Sequence, residues 1–203
     1  RDARLFLASL TFITAAAFLG LHALATPGVL LEKNAGFELA TPFGLAFAGL
    51  FAAASAWEYG PAASARIMRH SGAMLIGLAL VIVAWAAVSL AEVRPLARPL
   101  DAEELDGWQV TLGVAGVVLY AIAAFGYTRL YLRRRAGVLL AVAAAFALLA
   151  EAMLVIVWAR NWELSWWEWH LLMLTAFGAI ALSARHEWHE ERFSALYLDQ
   201  TLA

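Results

Sequence analysis

Cysteine is absent from the 203 residues, which excludes a disulfide frame and any thiolate metal site and leaves the redox compartment unread. Charged side chains are scarce, 15% of the chain, and nearly balanced at a formal net charge of -2. No nucleic-acid partner is expected. Also missing is the alternation of polar and apolar residues that a membrane-spanning strand needs, so a β-barrel is excluded. What fills the sequence instead is apolar: 64% of the residues are hydrophobic and the mean hydropathy is +0.74, far above the roughly half-apolar balance of a soluble domain.

Several apolar runs reach the roughly 18 to 20 residues that a helix needs to cross a hydrocarbon core of about 30 Å. The chain therefore reads as an all-α, polytopic membrane protein with six transmembrane helices. The spans are expected at 5–26, 37–57, 67–92, 108–131, 136–158 and 166–183. Pro27-Gly28, Gly60-Pro61 and the pair Pro95 and Pro99 stand between them, as residues that cannot continue a helix. No cleavable signal peptide is evident. The opening residue is Arg1 rather than Met, and a longer protein is expected.

Basic residues set the orientation. Arg1, Arg4, Arg66, Arg69, Arg129, Arg133, Arg134, Arg135, Arg185 and Arg192 fall on one side, against Lys33, Arg94, Arg98 and Arg160 on the other. Ten against four places both termini in the cytoplasm. The opposite side is acidic and aromatic, with "DAEELDG" at 101–107 and "RNWELSWWEWH" at 160–170. Tryptophan favours the headgroup layer, so Trp158, Trp162, Trp166, Trp167 and Trp169 read first as an interfacial belt. The same density can wall a ligand pocket.

Four ionisable residues share a depth near the outer face: His22 at the end of the first span, Glu38 at the start of the second, Glu151 on the fifth and His170 on the sixth. A charge in hydrocarbon costs about 2.5 to 3.5 kcal/mol on insertion scales, so such groups face a bundle interior and a partner. Two imidazoles and two carboxylates make a mixed nitrogen and oxygen set for a divalent transition metal such as copper, zinc, iron or manganese. Met173, one turn below His170, leans toward copper if it shares that face. Trp166, Trp167 and Met173 are the expected ligand-binding neighbours. Two other readings stay open: a buried Glu151–histidine pair that only fixes helix register, and bis-histidine ligation of haem b by His22 and His170, as in a cytochrome b-type redox protein. No local metal motif such as HExxH occurs to decide among them. A transporter is disfavoured, because no span shows the paired breaks of a midplane substrate site.

On the cytoplasmic side His70, His186 and His189 read as solvated, the last two within the charged helical segment "SARHEWHEER" at 183–192. After Ser183 neither Gly nor Pro interrupts the chain, so residues 1–184 are expected to form the membrane domain and 185–203 a connector helix. Trp188, Phe193, Leu196, Leu198 and Leu202 keep only a loose helical spacing, too irregular for a coiled coil.

The pieces "LHALATPG" (21–28), "ATPFGLAFAGLFAAASA" (40–56), "WWEWHLLMLTAFG" (166–178) and "EERFSALYLDQTLA" (190–203) resemble the six-helix membrane region that precedes a class III adenylate/guanylate cyclase domain in some bacterial proteins. The resemblance covers nearly the whole chain. It implies a multi-pass sensor or regulator of the bacterial inner (cell) membrane, homodimeric, with an output domain following in cis. No cyclase-type aspartate pair lies within these residues, so any such active site belongs beyond them.

Overall fold

The computed structural model describes residues 2–28, 32–159 and 162–201, with side chains described as far as His186. Among these residues the chain forms seven helices and no β-strand: α1 (Ala3–Leu24), α2 (Ala35–Ser55), α3 (Pro61–Arg69), α4 (Ser71–Leu90), α5 (Ala102–Arg134), α6 (Gly137–Trp158) and α7 (Leu164–Thr201). Five of them, α1, α2, α4, α5 and α6, are long and apolar enough to cross a membrane. α7 is not among the five; its first turns carry Trp166, Trp167, Glu168, Trp169 and His170.

The long helices run back and forth between two ends. One end gathers Trp158, Trp162 and Trp166 with the starts of α2 and α5. The other gathers Arg66, Arg69, Arg133 and Arg134. The first is the aromatic end and the second the arginine end. α5 with α6, α1 with α2, and α6 with α7 are the closest neighbours, and the α2–α5 contact joins the α1–α2 pair to the α5–α6–α7 group. Phe18, Leu45, Tyr120, Phe146, Leu149, Met153 and Met173 lie fully inside this bundle. Large apolar side chains also line its outside, among them Ile76, Leu80, Val83, Val114, Phe125, Leu154 and Leu174. A surface this apolar is stable against lipid and unfavourable against water.

Close packing rests on small residues, as it does where helices meet without a hydrophobic drive between them. Gly113 and Gly116 of α5 sit against Val157 and Met153 of α6, and Gly44 of α2 sits against Phe18 of α1, with no room for a Cβ in any of the three places. Some hydroxyls inside the spans turn back on their own helices. Thr11 donates to the Leu7 carbonyl at 3.2 Å and Thr14 to the Leu10 carbonyl at 2.7 Å, which satisfies them where water is absent.

Three boundaries differ from the expected ones for identifiable reasons. The span expected at 67–92 is two helices, because the chain bends at His70 (φ -96°, ψ 5°) between α3 and α4; Pro61 opens α3 at a position where its missing N–H costs nothing. α5 begins at Ala102 rather than Trp108, since the Asp101 carboxylate accepts the Glu104 N–H at 2.8 Å and caps the helix. α7 runs without a break from Leu164 to Thr201, so the connector expected at 185–203 continues the same helix through Thr201. The side chains of His189, Trp188, Phe193, Leu196 and Leu198, and the whole of Leu202, lie outside the described residues.

Candidate ligand cavity at the aromatic end

The start of α2 is tied down by several bonds at once. Asn34 caps it, its side-chain oxygen accepting the Phe37 N–H at 2.9 Å. The Ala35 and Gly36 N–H groups donate to the carbonyls of Arg98 and Leu96 at 2.9 and 3.3 Å. These would otherwise be orphan donors of a first turn. Glu38, also in that turn, accepts the Leu100 N–H at 3.0 Å and pairs with the Lys33 ammonium at 2.8 Å, with its own side chain only 3% exposed. A carboxylate there also meets the positive end of the helix dipole. Glu38 thus joins α2 to the α1–α2 and α4–α5 loops.

His22, on the last turn of α1, stacks on Phe37 with centroids 4.4 Å apart and donates from Nδ1 to the Phe37 carbonyl at 3.2 Å. A carbonyl only accepts, so the neutral ring carries its proton on Nδ1 and presents a lone pair at Nε2. That Nε2 is buried and has no hydrogen-bond partner among the described residues. His170 has the same tautomer for the same reason, Nδ1 donating to the Trp166 carbonyl at 2.7 Å. The two rings lie 6.3 Å apart, and Trp169 packs against both, 3.5 Å from His170 and 5.8 Å from His22.

Between the ends of α1, α2, α5, α6 and α7 lies a cavity of about 260 Å³, lined by His22, Lys33, Phe37, Glu38, Thr41, Asp106, Gln109, Trp166 and Trp169 among others. The Thr41 hydroxyl, like His22 Nε2, is buried without a partner among the described residues. Two carboxylates and one ammonium leave the lining with one net negative charge. Indole faces and an imidazole lone pair complete a wall suited to a small cation or a hydrogen-bond donor.

The expected site residues separate here. His22, Glu38 and Trp166 line the cavity. His170 sits behind Trp169, half-buried, and does not reach the cavity wall. Met173 is fully buried in the core, 1% exposed, while Trp167 points outward at 50% exposure. Glu151 is exposed on α6, on the stripe of Leu140, Ala144, Ala147, Leu154 and Trp158, because Leu149, Ala152, Met153 and Ile156 take the inward face. Among the described residues no three His, Cys, Asp or Glu side chains gather closely enough to hold a metal ion.

Thr41, Asp106, Gln109 and Lys33 were not expected in the site. The sequence pattern puts Asp106 in a loop and Gln109 in the first turn after it. The signal that places them on a helix is Asp101 followed three residues later by Glu104, the spacing of a helix start.

Nearby, Glu104 also binds the Arg98 guanidinium at 3.0 Å. That hydrogen bond, then the charge behind it, pushes the Arg98 pKa upward. Comparison with protein-family models, with curated protein sequences and with solved structures returns no match.

Proposed function

We propose that the chain is a membrane-embedded regulatory module whose cavity at the aromatic end takes a small cation, metal ion or organic ammonium, and whose α7 passes occupancy to the opposite side. One observation carries the reading. Trp166 and Trp169, which wall the cavity, stand on the first turns of a single helix of 38 residues, about 57 Å long at 1.5 Å per residue. A shift at the cavity therefore has a stiff route to the arginine end. Occupancy biases that helix only by its differential affinity for two packings of α1, α2 and α7. Six spans with α7 as the sixth, cytoplasmic termini, a bacterial inner-membrane location, a homodimer and an output domain in cis belong to the same reading, through the arginine asymmetry and the resemblance to cyclase membrane regions.

The test is a titration of the purified chain in lipid nanodiscs with zinc, copper(I) and short alkylammonium ions, read by tryptophan fluorescence. A saturable change is expected with one of these cations. It should be lost in His22→Ala and weakened about fivefold in Asp106→Asn, the worth of an ion pair of roughly 1 kcal/mol, yet kept in Glu151→Gln. No saturable change with any cation, or loss in Glu151→Gln alone, contradicts the reading. A strong visible absorption band in the purified chain would favour haem held by His22 and His170 instead.

A further inference from the structure

A second opening lies on the other side of α2, and it is not polar. α4 is attached only sparsely, touching α1, α2 and α3 and scarcely meeting α5. Its half toward the aromatic end is held by Trp85, which stacks on Phe43 at 4.7 Å and donates Nε1–H to the Gly36 carbonyl at 3.4 Å. Between α4 and α5 a groove of about 670 Å³ remains, floored by Leu39 and Phe43 and walled by Trp85, Trp108 and Leu112. Its polar residues are confined to one end, where Arg94, Arg98 and Glu104 form the rim. From Glu104 to Leu112 the α5 wall descends about 12 Å.

We infer that this groove binds one anionic phospholipid, its headgroup at Arg94 and one acyl chain between α4 and α5. The charge at the rim selects the headgroup. Glu104 already neutralises Arg98 at 3.0 Å, whereas no acidic side chain pairs with Arg94 among the described residues, so the groove keeps one uncompensated cation. A phosphate complements it. The polarity gradient selects the rest: a charged rim above a purely apolar shaft is the shape of an amphiphile, while a helix of a second copy would set an apolar surface against Arg94. The groove is separate from the polar cavity, on the other side of α2.

The experiment uses the whole chain in nanodiscs of phosphatidylcholine containing a minor share of phosphatidylglycerol, released into the gas phase for native mass spectrometry. One phosphatidylglycerol is expected to stay bound in preference to phosphatidylcholine. Arg94→Gln, at an exposed loop position, should lower that preference roughly fivefold, the worth of one guanidinium to an anionic lipid surface. Leu112→Trp should lower retention of both lipids by filling the shaft. Equal retention of the two lipids, an unchanged preference in Arg94→Gln, or stronger retention of a free fatty acid overturns the inference. So does a disulfide between two copies carrying Leu112→Cys, which the absence of native cysteine makes unambiguous.

Discussion

Individual polar atoms inside this bundle divide into those with partners and those without. The Tyr120 side chain is fully buried, and its hydroxyl has no hydrogen-bond partner among the described residues. A buried unpaired donor costs about 1 to 3 kcal/mol, so Tyr120→Phe should stabilise the protein by about 1 kcal/mol. Reversible unfolding in mixed micelles would measure it. Glu38 is the opposite case. Its carboxylate holds Lys33 and the Leu100 N–H at once, and Glu38→Ala leaves an ammonium and a backbone donor without their acceptor. With Lys33 half in solvent the loss should stay near the lower edge of the range for breaking buried pairs, about 3 kcal/mol, in the same unfolding assay. Glu38→Gln, which keeps an acceptor for Leu100, should lose less. Glu38 is therefore first a structural tie and second a source of negative charge at the cavity.

The helices show which regularities of the sequence carried information. α2 and α6 fall within two residues of the spans expected for them, because their apolar runs end at sharp signals: Asn34 before one, Trp158 closing the other. α5 was misplaced by six residues, since the hydropathy of "DAEELDG" outweighed its capping pattern. Which face of each helix points inward was harder to read. α6 has almost no amphipathic signal, being apolar all round, so nothing local says that Glu151 faces outward while Met153 faces in. That choice is made by glycines on the neighbouring helix. Gly113 and Gly116 admit Val157 and Met153, and the α6 rotation follows. Gly116→Leu should accordingly cost about 1 to 3 kcal/mol through overpacking, while Gly77→Leu on α4, where open space meets the added group, should cost less than about 1 kcal/mol through packing. Paired unfolding curves would separate them.

At the scale of the molecule the fold keeps its chemistry at one end and its basic charge at the other. The shared depth of His22, Glu38 and His170 was legible from the sequence, because depth along a helix is a matter of counting residues. Their azimuth was not, and azimuth decides what meets. His22 and Glu38 reach one cavity, His170 stands one indole away, and Glu151 leaves the group. Asp106 and Gln109 enter in its place, carried there by the start of α5. The resulting site is polar, walled by tryptophan, net negative, and joined to the far end by α7.

That account predicts a cavity that opens at the aromatic end and selects for positive charge. Because the chain lacks cysteine, Gln109→Cys supplies one thiol inside the lining and no background. Its rate of modification by a cationic, membrane-impermeant methanethiosulfonate, compared with an anionic reagent of similar size, is the most direct measurement. The cationic reagent should react faster by roughly tenfold, the scale on which a charged cleft raises local ion concentration. The excess should collapse in Asp106→Asn. Equal rates for the two reagents, or no reaction with either, would contradict the proposed site.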